Sequence, residues 1–364
     1  MTIALHILAS LAGVLLLVLY FRSIVVVALL NSKADDFIER NARRSAVAIV
    51  HRFISRDGGD AEIQRRRQAW IMPLFVLIAV VTWFLLVQIA FTGILWGLRI
   101  EPGFWRALSA SGSALSTLGY LTPSTLVGEY LAVFQAAIGL AVVMLLFTFV
   151  PGYQASIQTR ERRVGWLYAR TDDVATGERY LGWLLAKNDD AGIQVGWEDW
   201  ENWFRGIRET HTLSPILSFV PSIYRGTSWI VTASSVLDAA TATVACLDQN
   251  APTEARICRR EGATTMRLIA AALGAGAPAR PPAVRSGETD GFDRLYAILV
   301  AAGLPVAGDR EQCHRTYAAL RADYAPYVEQ IAAATLTPIA LLDATRPSQG
   351  ATATSEPAAA AGAA

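Results

Sequence analysis

Motifs for nucleotide binding, metal binding and catalysis are missing from this sequence. No G-x-G-x-x-G follows a strand pattern and no P-loop lysine motif is present, which argues against a dinucleotide-type regulatory domain. Only three cysteines occur, and none are paired at the spacing of metal ligands: Cys246, Cys258 and Cys313. An odd count without C-x-x-C argues against a zinc site and a disulfide framework. We therefore expect no metal, no cofactor and no catalytic residues, and we do not expect an enzyme.

Charge is also scarce and evenly balanced. Charged residues make up 17% of the chain, and 32 basic residues stand against 31 acidic ones, so nothing indicates a nucleic-acid partner. Hydrophobic residues make up 53%, which is high for a soluble protein and predicts membrane spans. The lipid bilayer is the partner that this composition favours.

Three apolar stretches are long enough to cross a bilayer, which takes about 20 residues: 3–30, 71–98 and 126–150. A signal peptide is the competing interpretation of the first stretch, but it lacks a basic start and is too long, so we expect an uncleaved anchor. A fourth stretch, 227–247, contains Asp238 and many Ser, Thr and Ala residues. That composition favours a buried helix of a soluble domain over a fourth span.

Basic residues predict the orientation of these spans. The connection 98–125 has only Arg99 and Arg106, whereas nine basic residues separate the first two spans and four follow the third by residue 170. By the positive-inside tendency, 31–68 and the chain after 151 are cytoplasmic and 98–125 faces out. The basic residues thus predict a multi-pass protein with a cytoplasmic C-terminal domain, and we expect its membrane to be a bacterial inner membrane.

The outer connection contains more structure than a simple loop needs. Residues 103–115 read as a short helix that carries Ser113, with Pro102 in a favourable first-turn position. The pattern predicts that this helix ends at Ser116 and Thr117, before a glycine. We interpret it as a re-entrant helix followed by extended backbone, which is tolerated at membrane depth only inside protein or along a water-filled path.

The order apolar helix, short helix, "TLGY", Pro, apolar helix resembles the pore module of potassium channels, whose filter reads T-V-G-Y-G. Thr117, Leu118, Gly119 and Tyr120 match four filter positions, with Leu for Val, and Leu121 stands where the family has its second Gly. The resemblance implies that backbone carbonyls and the threonine hydroxyl replace the water shell of a permeant monovalent cation, namely potassium. It also implies a homotetramer, because each chain has one pore segment.

Gly139 lies 20 residues beyond the filter glycine, where the inner helix of such pores commonly bends. It is therefore a candidate gating hinge, and ordinary helix packing through small residues is the alternative. The function that we predict is a cation channel subunit. The alternative is a non-conducting membrane-anchored sensor or scaffold, in which the soluble half is the working part.

The predicted fold class is an all-α membrane protein: transmembrane helices with a re-entrant pore helix and filter loop, plus a helical cytoplasmic domain. Its predicted segments are a transmembrane helix at 1–31, an amphipathic linker at 32–68, the pore domain at 69–151 with its re-entrant segment at 102–123, a helical domain at 152–345 with a linker at 274–289, and a disordered tail at 346–364.

Two features of the cytoplasmic half have two interpretations each. The segment 34–68 is predicted either to lie on the anionic inner leaflet or to pack on the protein. Trp197, Trp200 and Trp203 recur at helical spacing, which favours a domain core or a subunit contact over an acidic-aromatic binding site.

Overall fold

The computed structural model describes residues 2–29, 36–54, 61–186, 190–224, 226–276 and 288–337. Every regular element within these residues is a helix, in agreement with the predicted all-α class. The chain divides into two units. Unit 1 comprises Met1–Gly165, Asn202–Arg225 and Thr264–Ala277, and unit 2 comprises Trp166–Glu201, Gly226–Ala263 and Pro278–Ala364.

Thirteen α-helices lie within the described residues. They are α1 (Thr2–Ile24), α2 (Phe37–Ile54), α3 (Ala61–Gln68), α4 (Ile71–Gly97), α5 (Phe104–Leu115), α6 (Leu126–Tyr168), α7 (Gly177–Leu185), α8 (Asp190–Leu213), α9 (Trp229–Leu247), α10 (Thr253–Ala272), α11 (Glu288–Ala301), α12 (Arg310–Arg321) and α13 (Ala325–Ala334). A π-helical turn, Val25–Leu29, follows α1, and a 3-10 turn, Pro215–Phe219, follows α8.

Among the residues that the structure describes, four helical stretches are long and apolar enough to cross a membrane, which is consistent with a multi-pass membrane protein. They are Ile3–Val27, Ile63–Gly97, Leu126–Tyr168 and Trp229–Asn250. In the first three stretches, only 11, 33 and 22% of an apolar 18-residue segment is buried within the chain. In the fourth stretch, 83% of the corresponding segment is buried. The fourth stretch contains α9, which packs against α7, α11, α12 and α13, as expected for the buried helix that its composition predicts.

The first two membrane-capable helices, α1 and α4, cross with their backbones in close contact. A Cβ atom on Gly13 would lie 2.5 Å from the Ala90 carbonyl oxygen, and one on Gly93 would lie 2.8 Å from the Ala9 carbonyl oxygen. A Cβ atom on Gly97, four residues after Gly93, would collide with the Ser10 side chain of α1 and would lie 2.5 Å from the His6 carbonyl oxygen. This crossing is the small-xxx-small packing that membrane helices use in place of a hydrophobic driving force.

The amphipathic α2 buries part of its apolar surface against protein. Ala46 and Val50 lie in one core cluster with Phe75 near the start of α4 and with Ile216 and Phe219 of the 3-10 turn. The structure therefore shows packing on the protein for one stripe of α2. Phe37, Ile49 and Phe53 of the same helix are exposed, so a contact of this segment with the inner leaflet stays a prediction.

One predicted domain boundary lies within a continuous helix. The boundary between the pore domain and the cytoplasmic domain, at 151/152, falls inside α6, which continues to Tyr168 with Pro151 in its interior. Pro151 removes one backbone hydrogen bond, but the helical pattern on both sides continues through it. Most of the predicted linker, residues 277–287, and the whole predicted tail, residues 346–364, lie outside the described residues, and the last two residues of the predicted linker belong to α11.

Within unit 2, α9 forms the core, with 16 of its 19 residues buried. Its one acidic residue, Asp238, accepts hydrogen bonds from Arg321 Nε at 3.0 Å and from the Tyr324 hydroxyl at 2.5 Å. Burial and the neighbouring Asp238 carboxylate raise the pKa of Tyr324 well above its ordinary value, so this phenol stays a hydrogen-bond donor. Trp197 and Trp200 are also buried, and both rings contact Tyr180 edge-on.

Candidate functional site

The short helix α5 runs back along α4 from its C-terminal end. The ring of Phe104, at the start of α5, lies 5.9 Å from that of Trp96, and Ala107 lies in a cluster with Leu95. At the other end of α5, Leu115 is buried in a cluster that contains Val87.

The helix predicted at 103–115 begins one residue later than expected, at Phe104. Pro102 precedes its N-cap, Gly103, and does not lie in its first turn.

A buried polar bridge joins α4, α5 and α6. The Ser111 hydroxyl donates to the carbonyl oxygen of Gln88 at 2.9 Å, and Gln135 Nε2 donates to the Ser111 hydroxyl oxygen at 2.7 Å. Both Ser111 and Gln135 are fully buried. Hydrogen bonds between polar side chains in an apolar setting hold neighbouring helices in one register, so the position of α5 is defined on two sides.

Ser113 ties the segment that follows α5 to the end of the helix. Its carbonyl oxygen accepts from the N–H groups of Leu118 at 3.0 Å and Gly119 at 3.3 Å. Its buried hydroxyl oxygen accepts from the N–H of Leu121 at 3.0 Å. The other predicted pore-helix serine, Ser116, is the C-cap, and its hydroxyl donates to the Gly112 carbonyl oxygen at 2.6 Å. Ser113 is thus the residue that positions 118–121.

The sign of the backbone φ angle alternates along residues 117–120. Thr117 and Gly119 have φ angles of +58° and +69°, whereas Leu118, Tyr120 and Leu121 do not have positive φ. For a β-branched residue such as Thr117 this conformation is unusual and costs about 1 to 2 kcal/mol. Strained backbone of this kind persists where the surrounding contacts impose it, and it concentrates at functional sites.

The side chains of this segment point away from the protein interior. Leu118 is 72% exposed and Tyr120 is 67% exposed, although Leu is among the residues most often buried. The Tyr120 hydroxyl donates to the carbonyl oxygen of Ser109 at 3.3 Å. Two large side chains beside a fixed loop are therefore left uncovered by the chain itself.

A cavity of about 310 Å³ lies between this segment and the N-terminal part of α6. The predicted residues Ser113, Thr117, Gly119 and Leu121 line it, together with Ala114, Thr122, Glu129, Ala132, Val133 and Ala136. The structure therefore brings four of the predicted site residues to one space. Glu129 was not among the predicted site residues, because its only signal in the sequence is that it is a lone acidic residue in an apolar helix.

Gly139 is a point of close approach between α6 and the end of α5. A Cβ atom on this residue would lie 2.2 Å from the Leu115 carbonyl oxygen, so only glycine fits there. This contact supports helix packing, one of the two roles left open for Gly139. The hinge role remains a prediction.

No protein-family model matches this chain, and no curated protein or solved structure is similar to it.

Proposed function

We propose that this chain is one subunit of a homotetrameric cation channel, in which backbone carbonyls of 117–120 coordinate a monovalent cation such as potassium. One observation supports the proposal: α5 runs back along α4, and the chain after α5 returns to the end of α4 from which α5 started. From Trp96 to Val87, α5 follows about ten residues of α4, or roughly 15 Å, which is half of a hydrocarbon core of about 30 Å. The chain then comes back to Gly128, where an added Cβ atom would lie 2.7 Å from Ile100.

The alternating backbone is the second support. Thr117 and Gly119 have positive φ with Leu118 between them, and we infer that this alternation turns successive carbonyls to one side, as in a carbonyl-lined filter. Leu121 lacks positive φ, so we propose that the alternation ends after Tyr120. Selectivity for potassium over sodium is accordingly weaker than in a filter with glycine at that position.

The uncovered side chains support assembly. Irregular backbone is not tolerated against lipid, and one such segment does not enclose a path. The exposed side chains of Leu118 and Tyr120 are then covered by neighbouring copies around a fourfold axis. With the basic segments on the inner side, the loop 98–125 faces outward in the cell membrane and unit 2 is cytoplasmic.

The test is potassium flux into liposomes containing the purified protein. Gly119→Ala is the informative variant, because an added Cβ atom meets nothing within 4 Å and the substitution acts only through φ. Gly152→Ala is the matched control, since it also meets nothing within 4 Å and does not have positive φ. We expect Gly119→Ala to lose most of the flux or its selectivity as an intact tetramer, and Gly152→Ala to retain both. A tetramer whose flux survives in Gly119→Ala contradicts the filter assignment, and a wild-type protein without flux favours the sensor or scaffold alternative.

A further inference from the structure

Two of the three cysteines lie together in the core of unit 2, although they are far apart in the sequence. The N–H of Ala307 donates to the Cys246 carbonyl oxygen at 2.7 Å, and the Cys313 thiol donates to the Ala307 carbonyl oxygen at 3.3 Å. Both cysteines are fully buried, and their thiols hydrogen-bond each other. One thiol belongs to α9 and the other to α12, so the pair joins two helices.

We propose that Cys246 and Cys313 are a modification site at which a reversible disulfide fastens α12 to α9. Both cysteines belong to unit 2, so this inference does not rest on the proposed function. Disulfides of reducing compartments are usually transient and catalytic or redox-sensing. Two adjacent free thiols, one on each of two packed helices, are the arrangement that a redox-sensing role requires.

The helix α12 is the element that can open to admit an oxidant. Only two of its side chains, Cys313 and Tyr317, are buried, and its other side chains are partly or fully exposed. Elements with few buried contacts open locally at a lower free energy than the core does. While α12 is closed, the thiols are shielded, and a thiol buried in apolar surroundings stays protonated and unreactive. Oxidation of the pair therefore follows the opening of α12.

Ion pairs hold the two ends of α12 and oppose its opening. Arg310 pairs with Asp293 of α11, and Arg321 pairs with Asp238 of α9. All four side chains are partly exposed, so water replaces these contacts when the helix lifts. A disulfide adds a bond that water does not replace, and it keeps α12 closed.

The oxidant that we infer is a small disulfide such as oxidised glutathione, which acts by two thiol–disulfide exchanges. When α12 opens, the Cys313 thiol loses its proton to water, and its sulfur attacks one sulfur of the reagent. A bond forms between these two sulfurs, the S–S bond of the reagent breaks, and one glutathione thiolate leaves. The Cys246 thiolate then attacks the Cys313 sulfur and releases the second glutathione. The two leaving thiolates take up the two protons, so two protein thiols are oxidised and one reagent molecule is reduced.

A competing role for the pair is packing alone. Free cysteine behaves as a small apolar residue, and two of them fill a core without any redox chemistry. Cys258 provides the internal reference for this role. It is buried as well, and no contact with another thiol is found for it among the residues that the structure describes.

The experiment incubates the purified protein in detergent with oxidised glutathione, alkylates the remaining thiols and maps the peptides by mass spectrometry. We expect the wild type to lose the free thiols of Cys246 and Cys313 together, to gain a peptide that joins them, and to keep Cys258 free. Dithiothreitol should restore all three thiols. Cys258→Ala should behave as wild type, and Cys313→Ala should form no disulfide within the chain.

A second pair of variants tests the opening of α12. Tyr317→Ala removes the other buried side chain of this helix and should accelerate disulfide formation several-fold. Thr316→Ala, at an exposed position of the same helix, should leave the rate unchanged. In the oxidised wild type, hydrogen exchange of the α12 amides should be slower than in the reduced protein.

Three results would overturn the proposal. The first is a folded wild type whose thiols all stay reduced until denaturant unfolds the whole protein, which would assign the pair to packing. The second is a disulfide that involves Cys258 or joins two copies of the chain. The third is an equal rate in Tyr317→Ala and Thr316→Ala, because the site depends on local opening of α12. None of these results bears on ion flux, so the proposed function stands or falls separately.

Discussion

The guanidinium of Arg160 donates from Nη1 to Nε2 of His211 at a distance of 3.2 Å, and both side chains are fully buried in unit 1. Since a guanidinium has no acceptor, Nε2 must be the acceptor and the imidazole is neutral. Arg160 Nε also donates to Glu161 at 2.8 Å, and its two terminal nitrogens donate to the carbonyl oxygens of Leu217 and Val220. This network joins the C-terminal part of α6 to the turn after α8.

Replacing Arg160 with Met should lower the free energy of unfolding by about 3 to 5 kcal/mol, because it leaves the buried Glu161 carboxylate without its cation. Arg162→Met is the control on the same helix. Arg162 is exposed, and a surface change of this kind stays within about 0.5 kcal/mol. Unfolding in detergent, followed by helical circular dichroism, measures both. Equal stability of the two variants would show that the network contributes nothing.

Stability should also fall in mild acid because of His211. Burial, and then the charge of Arg160, hold the pKa of His211 well below the ordinary value of about 6.5. Above that value the folded and unfolded states are both neutral at this residue. Below it the unfolded state takes up a proton that the folded state excludes, so stability drops by up to about 1.4 kcal/mol per pH unit.

Unfolding measured from pH 7 to pH 5.5 tests this effect. His211→Gln keeps a neutral acceptor for Arg160 and should flatten the pH dependence. His314→Gln serves as the control, since that ring packs on Phe292 in unit 2 and not against a cation. A pH slope unchanged by His211→Gln would contradict the neutral-imidazole assignment.

Thr117 should trade stability for function. Thr117→Gly relieves the positive-φ strain and should raise the free energy of unfolding by about 0.5 to 1 kcal/mol after the entropy cost of glycine. Thr117→Ala removes the hydroxyl but keeps the strain, so it should not gain stability. On the channel proposal both variants lose flux or selectivity. Full flux in both would exclude a role for the hydroxyl.

Leu121→Gly should raise the ratio of potassium to sodium flux. Glycine adopts positive φ without a steric cost and still offers its N–H to the Ser113 hydroxyl, so the alternation of the backbone can extend by one carbonyl. Leu121→Ala retains that N–H but not the freedom in φ, and it should leave the ratio unchanged. A ratio that stays constant in Leu121→Gly would show that this position defines no ion site.

Gly139→Ala should destabilise the protein by about 1 to 3 kcal/mol, because the added methyl group collides with a backbone carbonyl that does not move out of the way easily. Gly152→Ala on the same helix meets no neighbour and should be neutral or slightly stabilising. Thermal unfolding of the two variants measures the difference. Unchanged stability with altered opening in Gly139→Ala would instead favour the hinge.

The helices near the candidate site were largely predictable, and their contacts were not. The start and end of α5 follow from Gly103 before it and Ser116 after it, which are local signals, and the prediction differed by one residue. Pro102 was assigned to the first turn because proline is common there. In the structure Gly103 is the N-cap, so it lies between Pro102 and the first helical residue, Phe104. No local signal distinguishes Glu129 from any acidic residue at a helix start.

The sequence by itself determined which stretches are apolar enough to cross a membrane, and where the short helix and its glycine lie, because hydrophobic runs and chain-breaking residues act over a few neighbours. Only the tertiary structure decided that α9 is covered by its own chain, that Gly139 lies against Leu115, and that Glu129 shares a cavity with Thr117. These relationships join residues far apart along the chain. They depend on how helices pack, and packing is set by the shapes of both partners at once.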